Sequence, residues 1–138
     1  MTEARLRIVV MSPSEAARRL LQLLFQNLGH GCTVADDADV ALEQVTSAKA
    51  SVIVVDARAQ QEDTLFLMGL LQRRHPELAR LTLHERELQL SCNGTQRSFR
   101  IASAPQLAFP SAHELEHVLS LVVAERMLTM LKPRVGNA

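Results

Sequence analysis

Tryptophan and tyrosine are absent from this chain of 138 residues, and four phenylalanines are its whole aromatic complement. Without aromatic platforms, stacking of single-stranded nucleic acid is disfavoured. A charge of one sign is lacking too: fifteen Lys and Arg balance fifteen Asp and Glu. The broad positive field of a DNA-binding surface is therefore missing, and no direct nucleic-acid partner is expected. The two cysteines, Cys32 and Cys92, stand in unrelated segments without C-x-x-C spacing. They read as reduced thiols of a cytoplasmic protein. No apolar run approaches the roughly 18 residues of a membrane span, and the charged start runs straight into a strand with no signal-peptide core, so no membrane contact is expected. Gly29-His30-Gly31 has neither dinucleotide-binding nor Walker spacing, and no nucleotide or other cofactor is implied. There is no internal repeat and no low-complexity segment.

What the chain does have is aliphatic. Leu, Val and Ala supply most of its 47% hydrophobic content, which suits helices packed on a sheet. The length fits one domain, residues 1–132, with a tail or linker over 133–138. Leu6 to Met11 reads as a strand. It runs into Ser12-Pro13-Ser14-Glu15, a capping box with proline at the first helical position. A helix over 16–28 places Ala17, Leu20, Leu21, Leu24, Phe25 and Leu28 on one face, and Gly29 stops it. Cys32 to Ala35 is a second, short strand. Asp36, Asp37 and Asp39 are possible caps for a helix over 40–47. Ser51-Val52-Ile53-Val54-Val55 is β-branched without alternation, as in a central parallel strand buried on both faces, and ends at Asp56. A third helix over 64–74 sets Leu65, Leu67, Met68 and Leu71 on its apolar side, before Pro76. Three successive β–α units predict a doubly wound parallel sheet with right-handed crossovers. Leu81 to Leu83 is a fourth strand. Residues 87–101 then alternate around Asn93-Gly94, which predicts a β-hairpin with Leu88 facing Phe99 and Leu90 facing Arg97. A short fifth parallel strand is expected near 106–109, and Ser111 with Glu114 repeats the capping-box spacing at the start of a helix over 112–131.

These segments together resemble the receiver domain of bacterial two-component response regulators, over about residues 6–80 without a gap and 106–125 less closely. The resemblance implies an α/β, flavodoxin-like (CheY-like) doubly wound parallel sheet of five strands. The hairpin around Asn93-Gly94 replaces or supplements the fourth helix. In that family the third strand ends in the phosphoryl-accepting aspartate, and Asp56 looks like that residue. Asp63 falls where the family often has an aspartate before a glycine. The family also needs an acidic pair for Mg²⁺, a Thr or Ser ending the fourth strand and a Lys ending the fifth. Here those positions fall on Ser12 and Pro13, on His84, and near Ala108 or Phe109. A proline supplies no ligand, and phosphoryl transfer depends on neutralising the phosphoryl oxygens. The expected role is that of a pseudo-receiver, similar to those of some transcription activators, clock proteins and pilus-localisation ATPases. It is non-enzymatic and acts by docking to a protein partner or by forming a homodimer. A phospho-accepting receiver using Asp56 is the first alternative.

A second alternative comes from His113-Glu114-Leu115-Glu116-His117, an H-E-x-x-H pattern in which two histidines one turn apart could hold Zn²⁺ for a small hydrolase. No histidine follows it, and Glu114 already has a capping role, so no metal is expected. Arg73, Arg74, His75 and Arg80 read as a solvated helix end. His84 is a possible pH-sensitive group, and Cys92 is reactive only if exposed. Met127, Leu128, Met130 and Leu131 extend the apolar character of the last helix beyond a receiver's usual end and are the candidate interface.

Overall fold

The computed structural model describes residues 6–58, 62–92, 94–101 and 109–131. In chain order the elements are β1 (Arg7–Met11), α1 (Glu15–Asn27), β2 (Gly31–Ala35), α2 (Ala38–Ser47), β3 (Val52–Asp56), α3 (Glu62–Arg74), β4 (Ala79–Leu83), β5 (Glu87–Cys92), β6 (Thr95–Arg100) and α4 (Ala112–Leu131). One sheet of six strands runs β2-β1-β3-β4-β5-β6. Its first four strands are parallel, whereas β5 pairs antiparallel with β4, and β6 antiparallel with β5.

The expectation of five parallel strands is thus corrected. Only residues 84–86 separate β4 from β5, and a parallel return needs a crossover of a dozen or more residues. The chain can only turn back. Gly94, at φ 81°, supplies the left-handed conformation that the second tight turn requires. The hairpin register pairs Leu88 with Phe99 and Leu90 with Arg97, as the alternation predicts. The hairpin therefore takes the sheet position beside β4. Of the expected fifth strand, residues 106–108 lie outside the described residues, and Phe109 is outside any strand.

The sheet is packed on both faces. Ile8, Val10, Val54, Leu81 and Leu88 meet Leu21 and Phe25 of α1 and Leu115, Val118, Leu119 and Val122 of α4. Val9, Met11, Ile53 and Val55 meet Ala41 and Val45 of α2 and Leu67 and Leu71 of α3. β3 is buried at every position, which is why its sequence lacks alternation. In β4 and β5 burial alternates. Among the described residues only the face toward α4 is fully covered there, and half-buried Arg80, Thr82, Gln89 and Ser91 take the other side.

Three local expectations change. Leu65 is 80% exposed, because Leu67 and Leu71 define the buried face of α3 and a residue two positions from Leu67 points well away from it. Leu20 is likewise exposed, beside buried Leu21. Pro13 precedes the helix instead of opening it: the N-cap is Ser14, whose Oγ accepts from Ala17 N at 3.2 Å. Glu15 pairs with Arg19 at 3.1 Å and is not part of a capping box.

Because Leu88 is buried where the hairpin meets α4, Leu88→Ala should cost about 2–5 kcal/mol, whereas Ser91→Ala on the half-buried face should stay within about 0.5 kcal/mol. Urea unfolding of the two variants beside the wild type measures both.

Candidate functional site

Parallel pairing brings the C-terminal ends of β1 and β3 together. Met11 is in register with Val55, so Ser12 stands level with Asp56. α1 and α3 leave these strands for opposite faces of the sheet. This is the switch point at which open α/β sheets form a crevice. Ser12 N donates to Ala35 O at 3.1 Å, which carries the sheet pairing one residue past β1. The Arg18 guanidinium donates to Ser12 O at 2.7 Å from within α1. Held in this way, fully buried Ser12 donates its hydroxyl to Asp56 Oδ2 at 2.7 Å and accepts from Ser14 N at 3.1 Å.

The other partner of Asp56 is Arg58. Its Nε donates to Oδ1 at 2.8 Å, its Nη2 to Oδ2 at 2.9 Å, and its backbone N to Oδ1 at 3.1 Å. This is a two-pronged guanidinium–carboxylate pair, the strongest geometry open to an ion pair between side chains. The Arg58 guanidinium lies 5.3 Å from the centre of the Phe109 ring, close enough for a cation–π contact.

Asp56 is 4% exposed. Burial pushes its carboxyl up, but the hydrogen bonds from Arg58 and Ser12, with the charge of Arg58, outweigh burial and hold it below the ordinary carboxylate value. Arg58 is raised in turn, first by its hydrogen bond to Asp56. The carboxylate therefore stays ionised with both oxygens engaged. A phosphoryl acceptor needs a free oxygen to attack and a cation to neutralise the transferred group. Here the cation belongs to the chain and already sits on the oxygens.

The residues singled out in the sequence divide around this centre. Asp56 and Ser12 are joined directly, and Phe109 reaches the site through Arg58. Pro13 is exposed, and Ala108 lies outside the described residues. Asp63 falls in the first turn of α3. His84 turns to the hairpin, its Nε2 lying 3.2 Å from Gln89 Oε1. Arg58 was not anticipated. Its signal was nonetheless present: an aspartate ending a strand buried on both faces must find a cation, and Arg58 is the nearest one in sequence.

The His113–His117 segment is built for a different task. Glu114 Oε1 accepts from Ser111 N at 2.9 Å, and Ser111 Oγ accepts from Glu114 N at 3.1 Å, a reciprocal capping box. His113 and His117 are exposed. The His117 ring meets Phe99 edge-on, with centroids 6.0 Å apart. Among the described residues no three His, Cys, Asp or Glu side chains come together in a way that could hold a metal ion. Cys92 is buried, as is Cys32, whose thiol burial pushes up to about 12. Among the described residues no helix is long and apolar enough to cross a membrane. Met127 and Leu128 are 55% and 62% exposed.

Removing Arg58 would leave the Asp56 carboxylate without its cation. Arg58→Ala should destabilise the protein by about 3 kcal/mol at neutral pH, the low end for a broken buried pair, because the side chain is 22% exposed and water can enter in its place. Adding Asp56→Asn to Arg58→Ala should recover part of that loss. The pair contributes fully above the unfolded-state aspartate value of about 3.9, and the contribution disappears as pH falls through the lowered folded value. The stability gap between wild type and Asp56→Asn should therefore close under acid, as urea titrations at several pH values will show.

No family model and no curated protein matches the chain. Solved structures do. The signal receiver domain of an HD domain-containing protein from Pseudomonas fluorescens Pf-5 is 24% identical at a TM-score of 0.51, with 59% of this chain and 61% of that chain covered. NtrX from Brucella abortus, solved in complex with ADP, is 19% identical at a TM-score of 0.65 and covers 98% of this chain. The chain spans 31% of NtrX. The chemotaxis response regulator CheY4 of Vibrio cholerae is 14% identical at a TM-score of 0.62, with 86% of this chain and 99% of that one covered. The architecture is thus an α/β fold of the CheY-like kind, with an antiparallel hairpin beside its fourth strand.

Proposed function

We propose that the chain is a regulatory signalling domain of the response-regulator type whose phosphorylation site is closed from within, and that it acts by contact with a protein partner or with itself. The two-pronged pairing of Arg58 with Asp56 carries this reading. In a phospho-accepting site the aspartate stands beside an acidic pair and a divalent cation. Here Ser12 occupies one acidic position as a hydrogen-bond donor to Asp56, and the guanidinium takes the role of the cation. Mg²⁺ prefers an octahedral set of oxygens with several waters, and a guanidinium already seated on both carboxylate oxygens competes directly with it. Attack on a phosphoryl group would first require breaking the ion pair.

The neighbours favour the broader part of this reading, a signalling domain of the response-regulator type. They include a chemotaxis response regulator and a receiver domain of a longer protein, which fits a domain that acts on other proteins in the cytoplasm. The domain is read as non-enzymatic. In the His113–His117 segment, the glutamate that a zinc hydrolase would use as general base is committed to the N-terminus of α4.

Incubation with Mg²⁺ and acetyl phosphate should leave the intact mass unchanged, and beryllofluoride should leave the NMR spectrum unchanged. A stoichiometric phosphoryl adduct that disappears in Asp56→Asn would restore the phospho-accepting reading. Protein prepared without a metal-binding tag should likewise carry no stoichiometric zinc by elemental analysis. One zinc per chain, lost in His113→Ala, would bring the hydrolase forward.

A further inference from the structure

β6 ends the strand order, and among the described residues no strand pairs with its far edge. The direction of its backbone groups follows from two hydrogen bonds. His84 N donates to Glu87 O at 2.9 Å, and Ile101 N to Arg86 O at 2.8 Å. In an antiparallel ladder the hydrogen-bonded pairs recur at every second residue. The first bond continues the β4–β5 register and turns Glu87, Gln89 and Ser91 toward β4. The second continues the β5–β6 register, so Leu88 bonds with Phe99, Leu90 with Arg97 and Cys92 with Thr95. The N–H and C=O groups of Gln96, Ser98 and Arg100 therefore point outward, and all three residues are exposed. An open row of this kind is a template for another strand.

A groove of about 490 Å³ lies along that edge, between Ser98, Phe99 and Arg100 of β6 and His113 and His117 of α4, with buried Leu88 beneath. Alternation along β6 sets Phe99 on the α4 side, against the His117 ring, and Arg100 on the other. β6 carries two arginines and no acidic residue. Glu87 stands opposite Arg100 but accepts from Gln89 Nε2 at 3.1 Å, and Glu114, in the groove wall, accepts from Ser111 N. Among the described residues no carboxylate forms an ion pair with Arg100.

We infer that the groove between β6 and α4 takes an extended segment of a partner protein as a seventh strand, one that alternates small apolar and acidic side chains. The outward backbone groups of β6 bind its main chain. One set of its side chains lies on Phe99, Leu88 and His117, and the alternate set lies beside Arg100. A second copy of the chain fits less well. Its β6 would bring further arginines, and β2, the other edge of the sheet, has no acid in Gly31–Ala35. Residues 102–108 and 132–138 contain no acid either. A single strand of six residues offers less than the roughly 800 Å² per partner of a stable interface, so the contact is transient.

The inference names the surface through which the contact domain proposed above works, and it rests on that reading. The test titrates the full chain into a labelled, end-capped peptide of six residues, matched to β6, that alternates valine and glutamate, and follows its fluorescence anisotropy. The peptide should bind with a Kd of about 100 μM, and its counterpart with lysine in place of glutamate at least about tenfold more weakly. Ser98→Pro removes an outward N–H and no ladder bond, which an edge strand tolerates. It should weaken binding about tenfold, as should Arg100→Glu. Amide hydrogen exchange should slow at Gln96, Ser98 and Arg100 when the peptide is added. Far-UV circular dichroism checks that each variant is folded. Should Ser98→Pro fail to fold, Arg100→Glu and the exchange pattern decide. No binding at about 1 mM, equal binding of the lysine peptide, or binding that folded Ser98→Pro or Arg100→Glu leaves unchanged overturns the inference. A dimer that forms without peptide and is lost in Ser98→Pro would give the edge to a second copy and overturn it as well. A phosphoryl adduct on Asp56 would instead defeat the closed-site reading and leave the groove standing.

Discussion

A carboxylate taken out of water must be matched by charge, and in this protein that demand shapes the whole C-terminal edge of the sheet. Asp56 ends a strand with no exposed residue. Burial alone would drive it toward the neutral form, yet Arg58 and Ser12 keep it ionised. Each partner is held from a different part of the fold. Ser12 is fixed by the β1–β2 pairing and by Arg18 of α1, while Arg58 lies against Phe109, just before α4. The ion pair thus ties together the first strand, the third strand and the entry to the last helix. Buried pairs of this kind seldom add much net stability, but losing either partner is costly. The arrangement therefore favours a single geometry at the site.

The second organising constraint is the length of one connection. Residues 84–86 leave no room for a crossover, so the chain folds back on β4 and the sheet continues as a hairpin. The apolar residues of β5 then face α4, and the opposite side of the added strands carries polar groups. The architecture of the first four strands is thereby joined to a sheet edge of different character.

Much of this was legible in the sequence, because it is set by local patterns. The unbroken Ser51–Val55 run predicted a doubly buried strand, and the capping residues Ser111 and Glu114 marked the start of α4. Asn93-Gly94 predicted both the turn and the pairing of Leu88 with Phe99. The parts that escaped depend on relations between segments. Counting apolar residues along α3 put Leu65 inside, whereas the buried face is selected by what α2 and the sheet leave open. Pro13 looked like a helix start, but Ser12 is held by the sheet and by Asp56, which shifts the cap to Ser14. Arg58 was passed over because the family pattern directs attention to a lysine some fifty residues later. The site's own electrostatics would have directed it to the next cation along the chain.

Both thiols of the molecule lie in the core that α1 and α4 share with the sheet. Burial raises the two of them, Cys32 to about 12, so at neutral pH almost none of the thiolate that reacts with electrophiles is present while the fold is closed. Cys32 sits on β2 at one end of the strand order and Cys92 on β5 toward the other. The protein thus contains two native markers of local opening, one near each end of the sheet, whose rates of chemical labelling report how often the parallel half and the hairpin half come apart.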